Sequence, residues 1–148
     1  MSGRGREGNL GHELQQRLVA FVRAFGLHQP DETPCGAPIP VSEAHALAVL
    51  AGDGPMSQSE LGGRLRLGKS TVSRLVDQLE RRGWAERRPG EADARQRTVT
   101  LTPAGRRVAD EIADRRAARM ARLLERIPEA DRPAVLAALD VLTEAARD

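Results

Sequence analysis

The sequence predicts a mainly α-helical chain with one small β-wing, and three observations carry that expectation. Residues 57–83 read as two short helices joined by a tight turn and closed by a glycine. Residues 85–101 read as two strands around an Arg/Gly/Asp-rich turn. On either side, residues 10–28 and 103–148 carry apolar side chains at helical spacing. A helix pair followed by a basic hairpin is the pattern of a winged helix-turn-helix, here with N- and C-terminal helices suited to dimerisation.

The first nine residues, MSGRGREGN, are Gly/Arg-rich and lack the apolar stretch of a signal peptide, so residues 1–9 are expected to be disordered. Leu14, Leu18, Phe21, Val22 and Phe25 form one stripe, which predicts a helix over 10–28. A Pro-rich loop follows, and a second helix is expected from Ser42 to Ala51, stopping near Gly52-Asp53-Gly54-Pro55. Ser57 and Glu60 make the S-x-x-E capping box of a third helix that runs through Leu61 and Leu65. Leu67-Gly68 is the turn, with Gly68 a permissive N-cap for a helix over 69–82. Val72, Leu75, Val76 and Leu79 share its apolar face, and Gly83 stops it.

Ala85–Pro89 and Thr98–Leu101 are the strand candidates. Thr102-Pro103 is an N-cap with proline at the first helical position, opening a long helix to about Ile127. Pro128 interrupts it, and a last helix carries Val135, Leu136, Leu139 and Leu142. The domain order expected is therefore a disordered 1–9, a dimerisation helix and loop over 10–41, the DNA-binding unit over 42–102, and C-terminal dimerisation helices over 103–148. A winged helix buries little against outer helices of this length, so their apolar stripes predict pairing with a second copy; the alternative is that they fold back into a monomer core.

On the helix over 69–82, the face opposite the apolar stripe carries Ser70, Arg74, Asp77 and Arg81, flanked by Thr71, Ser73 and Gln78. Short hydroxyls and a long forked donor near a helix N-terminus suit base edges and phosphates. In the hairpin, a protruding Arg95 suits a narrow minor groove, and Asp93 is placed to steady its guanidinium. The candidate DNA-contacting residues are Ser57, Gln58, Lys69, Ser70, Thr71, Ser73, Arg74, Gln78, Arg88, Asp93, Arg95 and Arg97. The bland alternative is a solvated helix face followed by a solubilising hairpin.

Charge favours the DNA reading. From Arg64 to Arg107 there are twelve basic and five acidic residues, against a formal charge of +2 for the whole chain. A concentrated cationic block is what binding by counterion release requires. Arginine outnumbers lysine twenty-two to one, which a GC-rich coding bias also produces. The inventory excludes much else. No apolar run is long enough to span a membrane, and one cysteine permits no internal disulfide and fits a cytoplasmic protein. Gly68-Lys69-Ser70 lacks the upstream glycine of a phosphate loop, and no hydrolase motif is present. Neither an enzyme nor a cofactor is expected.

The stretch GPMSQSELGGRLRLGKSTVSRLVDQLERRGWAERRPGEADARQRTVTLTPAGR, residues 54–107, resembles the MarR family of bacterial transcriptional regulators. KSTVSRLVDQLERRGW, then ERRP, Asp93-Ala94-Arg95 and VTLTPAG carry the likeness. The resemblance implies a homodimer on a pseudo-palindromic operator in double-stranded DNA. It places Ser70, Thr71, Ser73 and Arg74 in the major groove, and Asp93 and Arg95 in the wing at the minor groove. Gly68 stands where the family usually has Ser or Thr, and Trp84 where Leu is common.

The resemblance also implies that a small aromatic or phenolic inducer can lodge between the first helix and the dimer interface. Some members sense zinc through a Cys in the loop after the first helix and a His in the second, positions that Cys35 and His45 resemble. Those sensors add a His pair after the wing, where this chain offers only Glu111 and Asp114. Cys35, His45, Glu43 and His28 are thus the candidate ligands, but their spacing is not a closed zinc motif and no metal site is expected. A redox role for Cys35 lacks the nearby positive charge that activates a thiolate. The alternatives are a metal- or redox-responsive switch of the same fold, and a winged-helix protein-interaction module with no specific DNA site.

Overall fold

A computed structural model describes residues 3–147. Helix α1 (Gly3–Phe25) is followed by α2 (Val41–Asp53), strand β1 (Met56–Ser57), α3 (Gln58–Leu65), α4 (Lys69–Arg81), β2 (Ala85–Pro89) and β3 (Arg97–Leu101). Then come α5 (Pro103–Glu125), a 3-10 turn at Glu129–Asp131 and α6 (Arg132–Ala145). The mainly helical class and the small antiparallel sheet are as the sequence predicts. Helix α1 starts inside the segment over 1–9 that the composition marks for disorder. From Gly3 the backbone is already helical, so residues 3–9 extend the first helix rather than precede it. The rest of the segment expected to be disordered, residues 1 and 2, lies outside the described residues.

The helix-turn-helix follows its local signals. Ser57 Oγ accepts the Glu60 N–H and the Glu60 carboxylate accepts the Ser57 N–H, so the capping box is closed. Helix α3 ends at Arg66, whose φ of 54° is left-handed. Leu67 N–H then donates to the Gly62 carbonyl at 2.9 Å. A Cβ at Gly62 would lie 3.2 Å from both Leu67 O and Val72 Cγ1, so the small residue lets α3 and α4 approach closely. Gly68 caps α4 with extended backbone and no side chain. Gly83, at φ 73°, takes the left-handed turn that ends it.

The sheet has one strand that the sequence did not reveal. β1 is only two residues long and pairs antiparallel with β3, Met56 opposite Val99, which makes the order β1-β3-β2. A two-residue strand carries no alternation to read; pairing with β3 defines it. β2 and β3 form the hairpin, with Ala85 opposite Leu101 and Pro89 opposite Arg97.

The core lies where α2, α3, α4, the sheet and the first half of α5 meet. Leu47, Leu61, Val76, Leu79 and Val99 are fully buried there, and Ala109 and Ile112 bring α5 into it. α2 also buries a carboxylate: Glu43 pairs with Arg82 at 2.7 Å, and the Arg82 guanidinium lies 4.8 Å from the Trp84 ring centroid. That pair joins α2 to the end of α4. The outer helices differ. Leu14, Leu18 and Phe21 of α1, Met120 and Leu124 of α5, and Leu136, Leu139 and Val141 of α6 are all exposed. α6 has no buried residue.

Candidate nucleic-acid interface

Helix α4 divides cleanly. Val72, Leu75, Val76 and Leu79 face the core, while Lys69, Ser70, Thr71, Arg74 and Gln78 are exposed. Ser73 is half-buried at the edge, and its carbonyl accepts a hydrogen bond from Arg87. Lys69 and Arg74 have no ion pair among the described residues, so their charges are free for a partner. An uncommitted lysine, two hydroxyls and a forked guanidinium at a helix N-terminus form a donor array suited to phosphate and to purine edges.

The wing presents a second cationic point. Gly90 N–H donates to Gln96 O at 2.6 Å and Gln96 N–H to Asp93 O at 3.0 Å, which folds residues 90–96 into a compact tip. Asp93 Oδ1 accepts the backbone N–H of Arg95 at 3.0 Å. The sequence suggested that Asp93 would steady the Arg95 guanidinium; it shapes the turn that displays Arg95 instead. Arg95 and Arg97 are exposed and in no ion pair among the described residues. Arg88 is exposed but pairs with Glu86.

Ser57 and Gln58 are engaged inside the fold. Ser57 serves as the cap of α3, although its hydroxyl hydrogen remains free to donate. Gln58 Oε1 accepts from Arg87, and its amide NH2 is left for another partner.

Away from this face, a cavity of about 310 Å³ opens between α1, the loop after it, α2 and α5. Phe25, Leu27, Val41 and Met120 give it apolar walls, and Arg116, Arg119 and His45 line it with polar groups. Arg119 Nε is buried without a hydrogen-bond partner, and its guanidinium sits 5.6 Å from the Phe25 ring centroid. Burial lowers the His45 pKa from its ordinary 6.5, and the neighbouring Arg116 cation adds to that, so the ring favours its neutral form.

Cys35 also lines the cavity, its Sγ 2.8 Å from Thr33 Oγ1. The four candidate ligands do not converge. Glu43 is committed to Arg82, and His28 is exposed beside Gln29. Among the described residues no three His, Cys, Asp or Glu side chains come together in a way that could hold a metal ion. Nor is any helix among them long and apolar enough to cross a membrane.

A model of the MarR family matches residues 37–96. The HTH-type transcriptional regulator YwoH of Bacillus subtilis is 33% identical over 111 residues, which is 70% of this chain and 72% of YwoH. The chain belongs to the MarR family. Its winged helix-turn-helix is therefore that of a DNA-binding transcriptional regulator. Among solved structures, a MarR-like transcriptional regulator from Thermotoga maritima aligns with a TM-score of 0.66 at 27% identity, covering 92% of this chain and 96% of its own. BpsR of Bordetella bronchiseptica, whose DNA binding is regulated by 6-hydroxynicotinic acid, aligns with a TM-score of 0.67 at 22% identity. That alignment covers 90% of this chain and 91% of BpsR and shows a shared fold.

Two features of this MarR-family chain escaped the sequence reading. Arg87 counted only as part of the basic block, yet strand alternation already puts it on the inward side with Ala85 rather than outward with Arg88. Arg116, Arg119 and Met120 recur at helical spacing and so share a face of α5. Nothing in the sequence said that α1 and α2 would close a cavity over it.

Proposed function

We propose that this protein is a ligand-responsive repressor that binds a pseudo-palindromic operator as a homodimer. The observation that carries the reading is the uncommitted donor face of α4 beside a wing that displays Arg95. On this reading Arg74 and the α4 hydroxyls read the major groove, and Arg95 enters the adjacent minor groove. The homodimer is supported by the apolar side chains that α1, α5 and α6 leave exposed, which a second copy would cover. Two half-sites read by identical helices require two-fold symmetry. A regulator of this kind works in the cytoplasm, where the chromosome is.

The cavity supports a small anionic aromatic inducer. Its size falls within the range of small-molecule pockets. An unpartnered buried guanidinium nitrogen suits a carboxylate, and the Phe25 wall suits a ring. BpsR offers a parallel, since an aromatic acid regulates its DNA binding. A ligand seated between α1, α2 and α5 releases DNA if it prefers a spacing of the two recognition helices that the operator does not match.

The test is a DNA-binding titration on the region upstream of this protein's own gene, at two salt concentrations and against unrelated competitor DNA. Tight, salt-dependent, competitor-resistant binding by a species of twice the chain mass is expected. Binding no better than the competitor would count against operator recognition there, and a monomer at binding concentrations would end the homodimer reading.

A further inference from the structure

Arg87 sits on β2 next to the exposed Arg88, but its own side chain is only 14% exposed. Its Nη1 lies 2.6 Å from Glu80 Oε2 and 2.9 Å from Asp77 Oδ1, both on α4. Nε and Nη2 donate to Gln58 Oε1 on α3, at 3.2 and 2.9 Å, and Nη2 also donates to the Ser73 carbonyl at 3.3 Å. The Arg87 backbone N–H donates to Glu80 Oε1 at 3.0 Å. One guanidinium therefore joins the wing, the recognition helix and the first residue of the helix before it.

We propose that Arg87 is a positioning residue for DNA binding: it holds the wing at a fixed attitude to α4, so that Arg74 and Arg95 engage one site together. The proposal rests on the groove assignments made above. Two carboxylates already neutralise the Arg87 charge, and little of the side chain meets solvent, so it is poorly placed to be a phosphate contact itself. Its planar fork satisfies acceptors on two helices at once, which the single ammonium of a lysine does not. Its place in the ladder, opposite Val99, is below the tip that carries Arg95. A change of tilt at that level is magnified at the tip, whereas Arg74 stays fixed on α4.

A double-mutant cycle on the wild-type operator fragment tests this, with Arg95→Ala, Arg87→Lys and the two combined. Arg95→Ala is expected to weaken binding on the order of tenfold and to lower the salt slope by about one. Arg87→Lys, which keeps the charge, is expected to show a loss of similar size. The double variant should then match the weaker single within about twofold, because a wing that no longer docks gains nothing from Arg95. Multiplicative losses, with the double variant down about a hundredfold, would mean that Arg87 acts on its own, and would overturn the proposal. So would wild-type affinity for Arg87→Lys.

If Arg87→Lys fails to melt cooperatively, the neutral combination of Arg87→Met, Asp77→Asn and Glu80→Gln removes the clamp without stranding a charge, and the same non-additivity is expected. A harmless Arg95→Ala would bring down the wing assignment together with the proposal. Non-additivity therefore judges the clamp, while the single Arg95 variant judges the reading beneath it.

Discussion

Gly105, in the first turn of α5, packs directly on the backbone of Trp84: a Cβ at position 105 would lie 2.7 Å from the Trp84 carbonyl carbon and 3.0 Å from its Cα. The two segments cannot separate freely. The Thr102 N–H donates to the Trp84 carbonyl at 3.0 Å, and Thr102 Oγ1 donates to the Gly83 carbonyl at 2.6 Å. Thr102 also accepts the Gly105 N–H as the cap of α5. The Leu-Thr-x-x-Gly run after the wing thus fixes where the long helix leaves the DNA-binding unit. Gly105→Ala is expected to destabilise by at least the upper end of the ~1–3 kcal/mol that overpacking typically costs. Gly63→Ala, with nothing within 4 Å, is the control and should stabilise slightly. Urea unfolding measures both, and equal midpoints would refute the close packing.

Ser57 has two roles that substitution can separate. Ser57→Ala removes the acceptor of the Glu60 N–H and is expected to lower stability by about 1 kcal/mol. Ser57→Asp keeps a capping oxygen and should melt close to wild type. Its carboxylate nevertheless faces DNA phosphate on the proposed docking, so operator affinity should fall. An aspartate variant as unstable as the alanine one would contradict the cap.

Arg74 is exposed and makes no ion pair among the described residues, so Arg74→Ala should leave the melting temperature unchanged. Operator binding should weaken by about 1–3 kcal/mol, with relaxed preference at one base position. Competition assays with single-base operator variants distinguish this from a uniform loss on every sequence, which would make Arg74 a phosphate contact.

The sign of the His45 effect follows from its lowered pKa. The unfolded chain takes up the proton at the ordinary value of 6.5 and the folded chain only below that. Stability linked to His45 is therefore fully present above the unfolded pKa and is lost as pH falls towards the folded one. His45→Asn is expected to flatten part of the decline in melting temperature between about pH 8 and pH 5. An identical decline in both proteins would remove His45 as its source.

What the sequence determined was local. Ser57 with Glu60, Gly68, Gly83 and Thr102-Pro103 each act within one turn of the backbone, and the apolar period of Val72, Leu75, Val76 and Leu79 needs no partner to be read. Those signals were enough for the fold class and for the exposed face of α4. The tertiary structure decided what depends on residues far apart in the chain. β1 exists because β3 pairs with it. Glu43 is in sequence only one of four candidate ligands without a closed motif; in space it is an ion-pair partner, because α2 delivers it to Arg82. Arg87 reads as one more cation of a basic block; folding brings Gln58, Asp77 and Glu80 around it and turns it from a surface charge into a clamp. Helical spacing says which residues share a face, and only packing says what that face meets.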